Sequence, residues 1–292
     1  MNVVASAGHQ DIAMVYVVEF PGGLVECVEA VQPPRSREDK WVLMISTLFG
    51  CPISCQMCDA GGHYRGKLTE EEMFAQIQFL IDQRYPAGLV PSSQFKIQFA
   101  RMGEPALNPA VLDLLRTLQS KVQAPGLLPS FSTIAPHGTD GFFEELIEIK
   151  DRHYSGGKFQ FQFSIHTTDR ARRDELIPVK KWDFQQMADF GKQYHRPGDR
   201  KITLNFALAE DSPVDPDVLL DYFDPDLFLI KITPLNPTYQ AAASVSIGEQ
   251  EENRIGSNCG QYVQKHLLER GDITTGYTYH VQQPVVDTDG LF

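Results

Sequence analysis

Three cysteines in one short segment have the spacing of iron–sulfur ligands. Cys51, Cys55 and Cys58 form a CxxxCxxC run, and three thiolates at this spacing can hold three irons of a [4Fe–4S] cluster. The fourth iron then has no protein ligand, so it can bind the amino and carboxylate groups of S-adenosylmethionine and pass one electron to the sulfonium. The segment therefore predicts radical chemistry rather than ordinary acid–base catalysis.

A structural zinc site and a set of buried core cysteines are the alternatives for this triplet. Zinc sites usually combine one CxxC pair with a second pair downstream, and the sequence contains no second pair. The chain has five cysteines, the other two being Cys27 and Cys259. This odd number is not typical of a disulfide-stapled domain, and the iron–sulfur interpretation is favoured.

Alternating strand and helix patterns surround the triplet. Six short runs rich in Ile, Val, Phe and Leu predict strands, with helical patterns between them. A capping box of Thr69 and Glu72 marks the start of the first helix. Six βα units predict an α/β fold, a partial (βα)6 TIM-like barrel of parallel strands. The strands are expected over 41–47, 95–100, 128–133, 159–165, 202–208 and 227–233, and the helices over 69–84, 108–121, 140–150, 183–194, 214–222 and 249–268.

An N-terminal β-hairpin extension is predicted before the barrel. Residues 12–31 contain two apolar runs that flank the turn sequence Pro21-Gly-Gly23. We divide the chain into this hairpin and a linker over 1–40, the barrel over 41–270 and a C-terminal tail over 271–292. The cysteine triplet follows the first barrel strand, and βα barrels place their chemistry at the carboxyl ends of their strands.

A glycine–glutamate motif ends the second predicted strand, in the run Arg101-Met-Gly-Glu-Pro105. It can be a simple βα turn in which the glycine gives backbone freedom and the proline starts a helix. In the functional interpretation, the Gly103 backbone approaches a ligand and Glu104 pairs with an ammonium group. Its place one strand after the cysteine loop suits the amino group of S-adenosylmethionine.

Further polar residues fall at the ends of later predicted strands. They are Ser132, Ser164, His166 and Asn236. Each alone is explained as well by a loop cap or turn residue, and His166 equally by a core histidine. Their common location at strand carboxyl ends makes them candidates for hydrogen bonds to a cofactor.

Composition and charge limit the classes of function. Hydrophobic residues make up 42% of the 292 residues, enough for a packed core. The formal net charge is −12, which argues against RNA binding by the surface as a whole but leaves room for a local basic groove. We expect no membrane span and no secretory signal, and therefore a cytoplasmic protein.

Together these motifs resemble the class A radical S-adenosylmethionine methyltransferases, the family of the ribosomal RNA adenine-C2 methyltransferase. The match runs in order from about residue 12 to residue 265. The matching positions are Gly50 to Cys58, Leu68-Thr69, Met102 to Pro105 with Asn108, Ser132-Thr133, Ser164 and His166, Pro234 to Pro237, and Asn258 to Gln261. The resemblance implies cluster ligation by Cys51, Cys55 and Cys58, and binding of S-adenosylmethionine by Gly103, Glu104, Ser132, Ser164, Ile165, His166 and Asn236.

The resemblance also implies a methyl relay through Cys259. This cysteine would take a methyl group from one S-adenosylmethionine, and a radical made from a second would remove hydrogen from that methyl. The resulting methylene radical would add to an sp2 carbon of the substrate. Glu26 matches the family's candidate proton acceptor, and an electron donor such as flavodoxin or ferredoxin would reduce the cluster.

Two departures from the family bear on the substrate. Met44 stands where the family has the cysteine that resolves the enzyme–substrate adduct, and Cys27 is the only spare thiol. The chain also begins near the hairpin, without the N-terminal helical domain with which RNA-methylating members grip RNA. We expect methylation of an sp2 carbon in a small heterocycle or an RNA. The alternatives are adenine-C2 methylation of ribosomal or transfer RNA, a radical enzyme that does not methylate, and a non-enzymatic iron–sulfur module.

Overall fold

A computed structural model describes residues 1–208, 212–234 and 261–270 of the chain. Two candidate site residues, Asn236 and Cys259, lie outside these ranges, as do residues 249–260 of the last predicted helix. The roles of Asn236 and Cys259 stay predictions.

A mixed sheet of nine strands forms the framework, and a separate two-stranded sheet lies beside it. The strands of the large sheet are β1 (Asn2–His9), β2 (Ala13–Phe20), β3 (Gly23–Val31), β4 (Lys40–Ile45), β7 (Gln94–Phe99), β8 (Leu127–Thr133), β9 (Gln160–Ser164), β10 (Ile202–Leu208) and β11 (Phe228–Pro234). The small sheet pairs β5 (Leu48–Cys51) with β6 (Gly62–Lys67).

The strands of the large sheet lie in chain order, β1-β2-β3-β4-β7-β8-β9-β10-β11. The first three strands are antiparallel, β3 joins β4 antiparallel, and the six strands from β4 to β11 are parallel. The carboxyl ends of the six parallel strands therefore meet at one edge, where the predicted site residues are expected.

Helices connect the parallel strands. The predicted capping box starts the first of them: the Thr69 hydroxyl accepts the Glu72 amide at 3.1 Å, and the Glu72 carboxylate accepts the Thr69 amide at 3.0 Å. None of the helices that the structure describes combines the length and apolar character needed to cross a membrane. The helices are α1 (Glu70–Arg84), α2 (Ala110–Lys121), α3 (Asp140–His153), α4 (Arg170–Leu176), α5 (Phe184–Tyr194), α6 (Pro216–Tyr222) and α7 (Gln261–Glu269), with a 3-10 turn at Pro105–Leu107.

The two faces of the parallel strands differ in chemistry. On β4 and β7 alternate residues are fully buried, and these face the helices. Their aromatic rings build the core: Trp41 stacks on Phe95 with ring centroids 5.1 Å apart, and Phe131 stacks on Phe161 at 5.6 Å. The other residues of these strands, which alternate with the buried ones, face the inside of the partial barrel. The lining there is mostly polar.

The predicted α/β partial barrel is confirmed. All six predicted barrel strands are present, as is the hairpin, which consists of β2 and β3. Sequence patterns missed β1, whose residues are largely exposed at the edge of the sheet and show no apolar alternation. They also missed the short β5–β6 pair and α4. The nine-stranded sheet continues from the hairpin into the barrel through β3 and β4.

Candidate active site

The cysteine loop is held tightly by backbone contacts. Cys51 is the last residue of β5, and the preceding Gly50 has a φ of 73°. A Cβ atom at Gly50 would lie 2.7 Å from the carbonyl oxygens of Gly62 and His63, so only glycine lets β5 approach β6 this closely. Further along, the Cys58 amide donates to the Cys55 carbonyl at 3.1 Å. The triplet thus lies on one compact turn that follows the first barrel strand.

The environment of the thiols fits ligands of a metal cluster. Burial raises the pKa of Cys51 to about 11 and that of Cys55 to about 12, while amide groups that include those of Ile53 and Glu104 favour the Cys51 thiolate. Bound iron reverses this preference, because a coordinating thiol is deprotonated by the metal. Within the described ranges, no three His, Cys, Asp or Glu side chains are grouped to bind one metal ion. An iron–sulfur cluster needs no such group, because each thiolate holds a different iron.

The glycine–glutamate motif packs directly against the cysteine loop. The amides of Thr47 and Leu48 both donate to the Met102 carbonyl, at 2.8 and 3.2 Å. Gly103 has a φ of 98°, and a Cβ atom there would lie 2.5 Å from the Leu48 Cβ. The motif therefore needs glycine both for its backbone conformation and for this approach.

We expect Gly103→Ala to lower the free energy of unfolding by more than about 2 kcal/mol, through strain and overpacking against Leu48. Urea denaturation measures this. Gly138→Ala is the matched control, because Gly138 also has a positive φ, of 86°, but a Cβ atom there would have no heavy atom within 4 Å. Equal destabilisation by the two substitutions would contradict the close packing of Gly103 on Leu48.

Glu104 is a buried carboxylate held by several donors. It accepts the Thr133 hydroxyl at 2.5 Å, the Ala106 amide at 3.1 Å and the Ile134 amide at 3.0 Å. Burial raises its pKa to about 7, and these hydrogen bonds oppose the rise. An ammonium group beside Glu104 would stabilise the ionised form. The site is thus suited to a cationic group of a ligand, and the predicted role of Glu104 in cofactor binding stays a prediction.

Polar groups at the ends of β8 and β9 are left available to a ligand. Ser132 Oγ is buried, and no residue in the described part of the chain hydrogen-bonds to it. Ser164 ends β9 and is half-buried, and Ile165 is fully buried, its amide donating to the Asn205 carbonyl at 2.8 Å. A buried hydroxyl without a partner is uncommon in a folded protein, so Ser132 fits a residue that bonds to a bound cofactor.

His166 presents a neutral imidazole. Its Nδ1 accepts the Ala207 amide at 3.3 Å, which leaves the ring proton on Nε2. Burial, with repulsion by Arg173, lowers its pKa to about 4. His166 has a φ of 70°, and Ala135 after β8 has a φ of 53°. Such backbone conformations are uncommon for residues other than glycine and often mark functional sites. Nε2 is a hydrogen-bond donor at neutral pH.

Glu26 joins three parts of the molecule. Its carboxylate accepts the Tyr262 and Val263 amides at 2.8 and 2.9 Å, in the first turn of α7. Its other oxygen forms an ion pair with Arg101 at 2.7 Å, and both side chains are at most 1% exposed. Glu26 therefore fixes the start of α7 and the first residue of the glycine–glutamate motif. Its predicted role as a proton acceptor stays a prediction.

Cys27 and Met44 lie on opposite faces of the sheet. Met44 is paired with Val28 across β3 and β4, and with Val28 it belongs to a small apolar cluster on the inner face. Cys27 is fully buried in the main core, where burial raises the pKa of its thiol. Cys27 therefore packs as a small core residue and does not replace the thiol missing at Met44.

Three supporting residues were not assigned roles from the sequence. Arg101 pairs with Glu26, and Thr133 donates to Glu104. Asn108 donates from its amide to the carbonyls of Thr47 and Leu68, both at 2.8 Å, and so ties the cysteine loop to the start of α1. All three lie in or beside the motifs described above, which is the only sequence signal that could have identified them.

Comparison with known proteins supports the sequence interpretation. No family model matches the chain. The chain is 30% identical over 193 residues to a protein of Desulfitobacterium hafniense (strain Y51) named as a probable dual-specificity RNA methyltransferase RlmN, covering 64% of this chain and 51% of that protein. It is 27% identical over 199 residues to the dual-specificity RNA methyltransferase RlmN of Marinomonas sp. (strain MWYL1), covering 66% and 51%. The predicted resemblance is confirmed. The chain spans about half the length of the curated relatives it matches.

A solved structure shows the same fold. The chain superposes on a radical SAM methyltransferase from Sphaerobacter thermophilus with a TM-score of 0.66 and 19% identity, covering 89% of this chain and 80% of that one. This likeness supports the α/β partial barrel and the order of its parallel strands. It does not identify a substrate.

Proposed function

We propose that the chain is a radical S-adenosylmethionine methyltransferase that methylates an sp2 carbon of its substrate through Cys259. The observation that carries the proposal is the packing of the glycine–glutamate motif on β5, the strand that ends at Cys51. The Leu48 amide donates to the Met102 carbonyl at 3.2 Å, and Gly103 lies against Leu48. Cluster ligands and an ammonium-binding carboxylate are thus neighbours at the carboxyl ends of the parallel strands. That arrangement suits a cluster and S-adenosylmethionine bound side by side.

The residues at this end of the barrel hold and orient the cofactors. When bound, the cluster supplies the single electron that cleaves S-adenosylmethionine. Cys51, Cys55 and Cys58 are its ligands, and Glu104 pairs with the amino group of S-adenosylmethionine. Ser132 donates its unpaired hydroxyl, and Gly103, Ser164, Ile165, His166 and Asn236 complete the binding site that the resemblance implies. A flavodoxin or ferredoxin is the proposed electron donor.

Cys259 is the proposed methyl acceptor. Its thiol would lose a proton to water, and the thiolate would attack the methyl carbon of S-adenosylmethionine. The new sulfur–carbon bond forms as the sulfonium–methyl bond breaks, which releases S-adenosylhomocysteine. This role rests on the resemblance in the run Asn258 to Gln261, because Cys259 lies outside the residues that the structure describes.

The substrate is a small heterocycle or an RNA. Relatives named as RNA methyltransferases favour RNA, and adenine-C2 methylation is the second candidate function. Incubation of the reduced, reconstituted enzyme with ribosomal or transfer RNA, followed by nuclease digestion, distinguishes the two. Formation of 2-methyladenine would support the RNA activity, and its absence would favour a small heterocycle.

We expect Cys259→Ala to abolish methyl transfer while leaving reductive cleavage of S-adenosylmethionine to 5′-deoxyadenosine intact. Intact-mass measurement should show one added methylene on the purified wild-type protein and none on the variant. Cys27→Ala is the control, because Cys27 is buried in the core and should not affect methyl loading. Methyl loading of the Cys259→Ala protein would disprove the relay, and absence of 5′-deoxyadenosine from the wild type would disprove radical chemistry.

A further inference from the structure

The inner face of the parallel strands carries positive charge. Because paired residues in a parallel sheet share a face, the pairing of Val42, Lys96 and Leu128 places Lys96 on the inner face of β7. Lys231 on β11 pairs with the inward-facing Asn205. None of the inward positions on these six strands, as far as the structure describes them, is Asp or Glu. In a chain with a net charge of −12, this lining is unusual.

Lys96 lacks a counter-ion. It is half-buried, and no hydrogen bond or salt bridge joins it to any residue in the ranges that the structure covers. The pKa of Lys96 is lowered to about 7. Burial is the main cause, and repulsion by the positive charges of Lys231, Lys40 and Arg200 adds to it. Among the residues that the structure describes, the charges that act most strongly on Lys96 are thus all positive. A half-buried ammonium group without a counter-ion is disfavoured, and an anion bound beside it would stabilise its charged form.

Neutral donors line the next layer of the barrel. Gln98 on β7, Ser130 on β8 and Gln160 on β9 are paired in one row of the same inner face, one pleat nearer the carboxyl ends of the strands than Lys96. Ser130 Oγ is buried without a hydrogen-bond partner in the described part of the chain. Two ammonium groups, which act as point charges, together with hydroxyl and amide donors suit a group with several anionic oxygens.

We propose that Lys96 and Lys231 form a phosphate-binding site inside the barrel, which takes a small substrate carrying a phosphate monoester. The inference takes one point from the proposed function, namely that the substrate binds inside the barrel. The acidic outer surface disfavours a polyanion, whereas the positive interior favours a single phosphate. Among the two substrate classes left open, this selects a small phosphorylated heterocycle over RNA.

Calorimetric titration of the purified protein tests the site without any turnover. We expect inorganic phosphate and AMP to bind and adenosine to bind much more weakly. Lys96→Met should weaken phosphate binding by about tenfold or more. Lys192→Met is the matched control, because Lys192 is 63% exposed on the outer helix α5 and pairs with Asp189. It should bind phosphate as the wild type does.

Several results would overturn the proposal. Wild type that binds no phosphate, or Lys96→Met that binds it equally well, would remove the site. If S-adenosylmethionine displaced phosphate from the reconstituted enzyme, Lys96 and Lys231 would belong to the cofactor site instead. An RNA oligonucleotide without a terminal phosphate that binds more tightly than AMP, and does so through Lys96, would overturn the choice of a small substrate. A failure of methylation alone would leave the phosphate site untouched.

The pH dependence of stability gives a second readout that a misfolded variant cannot imitate. The pKa of Lys96 is about 7 in the folded chain against its ordinary value of 10.5. Between these values the unfolded chain binds more protons, so the free energy of unfolding rises with pH. We expect the urea midpoint of the wild type to rise relative to that of Lys96→Met as the pH increases from ~7 to ~9.5. A difference in urea midpoint between the two proteins that stayed constant over this pH range would contradict the unpaired state of Lys96.

Discussion

Cys55→Ala is expected to abolish iron–sulfur binding and all cleavage of S-adenosylmethionine. Each of the three thiolates holds a different iron, so that loss of one leaves the cluster without a complete set of ligands. Cys55 is only partly buried on the loop after β5, and its replacement should leave the fold intact. Iron content after anaerobic reconstitution should fall from about four per chain to near zero, and 5′-deoxyadenosine should not form.

Cys27→Ala is the matched control for this result. Cys27 is also a free cysteine, but it is completely buried on β3 and faces the main core. The control should keep its iron and its cleavage activity while losing about 1 kcal/mol of stability. A Cys55→Ala protein that retained a four-iron spectrum would refute the assignment of the triplet.

Glu26→Ala is expected to lower the free energy of unfolding by about 3–5 kcal/mol. The substitution removes the Glu26 carboxylate from the buried Arg101 guanidinium, and it removes the acceptor for the Tyr262 and Val263 amides. Since small domains are stable by only about 5–15 kcal/mol, this is a large share. Urea denaturation measures the loss. Hydrogen exchange should show that the first amides of α7 lose protection.

Two further variants separate charge from hydrogen bonding. Glu26→Gln keeps an oxygen for the α7 amides but removes the charge, so it should destabilise the chain while protecting those amides better than Glu26→Ala. Glu145→Ala removes one of the two carboxylates that pair with the exposed Arg116, and pairs of that kind contribute at most about 1 kcal/mol. If Glu26→Ala destabilised the chain no more than Glu145→Ala, the linking role of Glu26 would be wrong.

The barrel could be predicted because its signals are local. Each barrel strand is a short run of apolar residues, and the Thr69–Glu72 capping box identifies the start of α1 without any tertiary information. The cysteine triplet and the Gly103-Glu104 motif are likewise contiguous in the chain. The strands β1 and β6 lack such patterns because most of their residues are exposed or only partly buried. The strand β5 is buried, but its four residues are too few to show a pattern.

The long-range partners could not be predicted in the same way. Glu26 is 75 residues from Arg101 and more than 230 residues from the α7 amides it binds, and no spacing rule connects them. The inner-face charge was hidden for a related reason. The net charge of −12 averages over the whole chain, whereas the placement of Lys96 and Lys231 on the same inner face depends on strand register.

The short segment from Arg101 to Glu104 takes part in two tasks at once. Arg101 reaches back to Glu26 and through it to α7, while Glu104, three residues later, faces the proposed cofactor. Thermodynamic reciprocity then applies: whatever cofactor binding does to the docking of α7, the docking of α7 must do equally to cofactor affinity. Gln261, the first residue of α7, follows Cys259 by two residues in the sequence, so the docking of α7 and the binding of the proposed cofactor are expected to be linked.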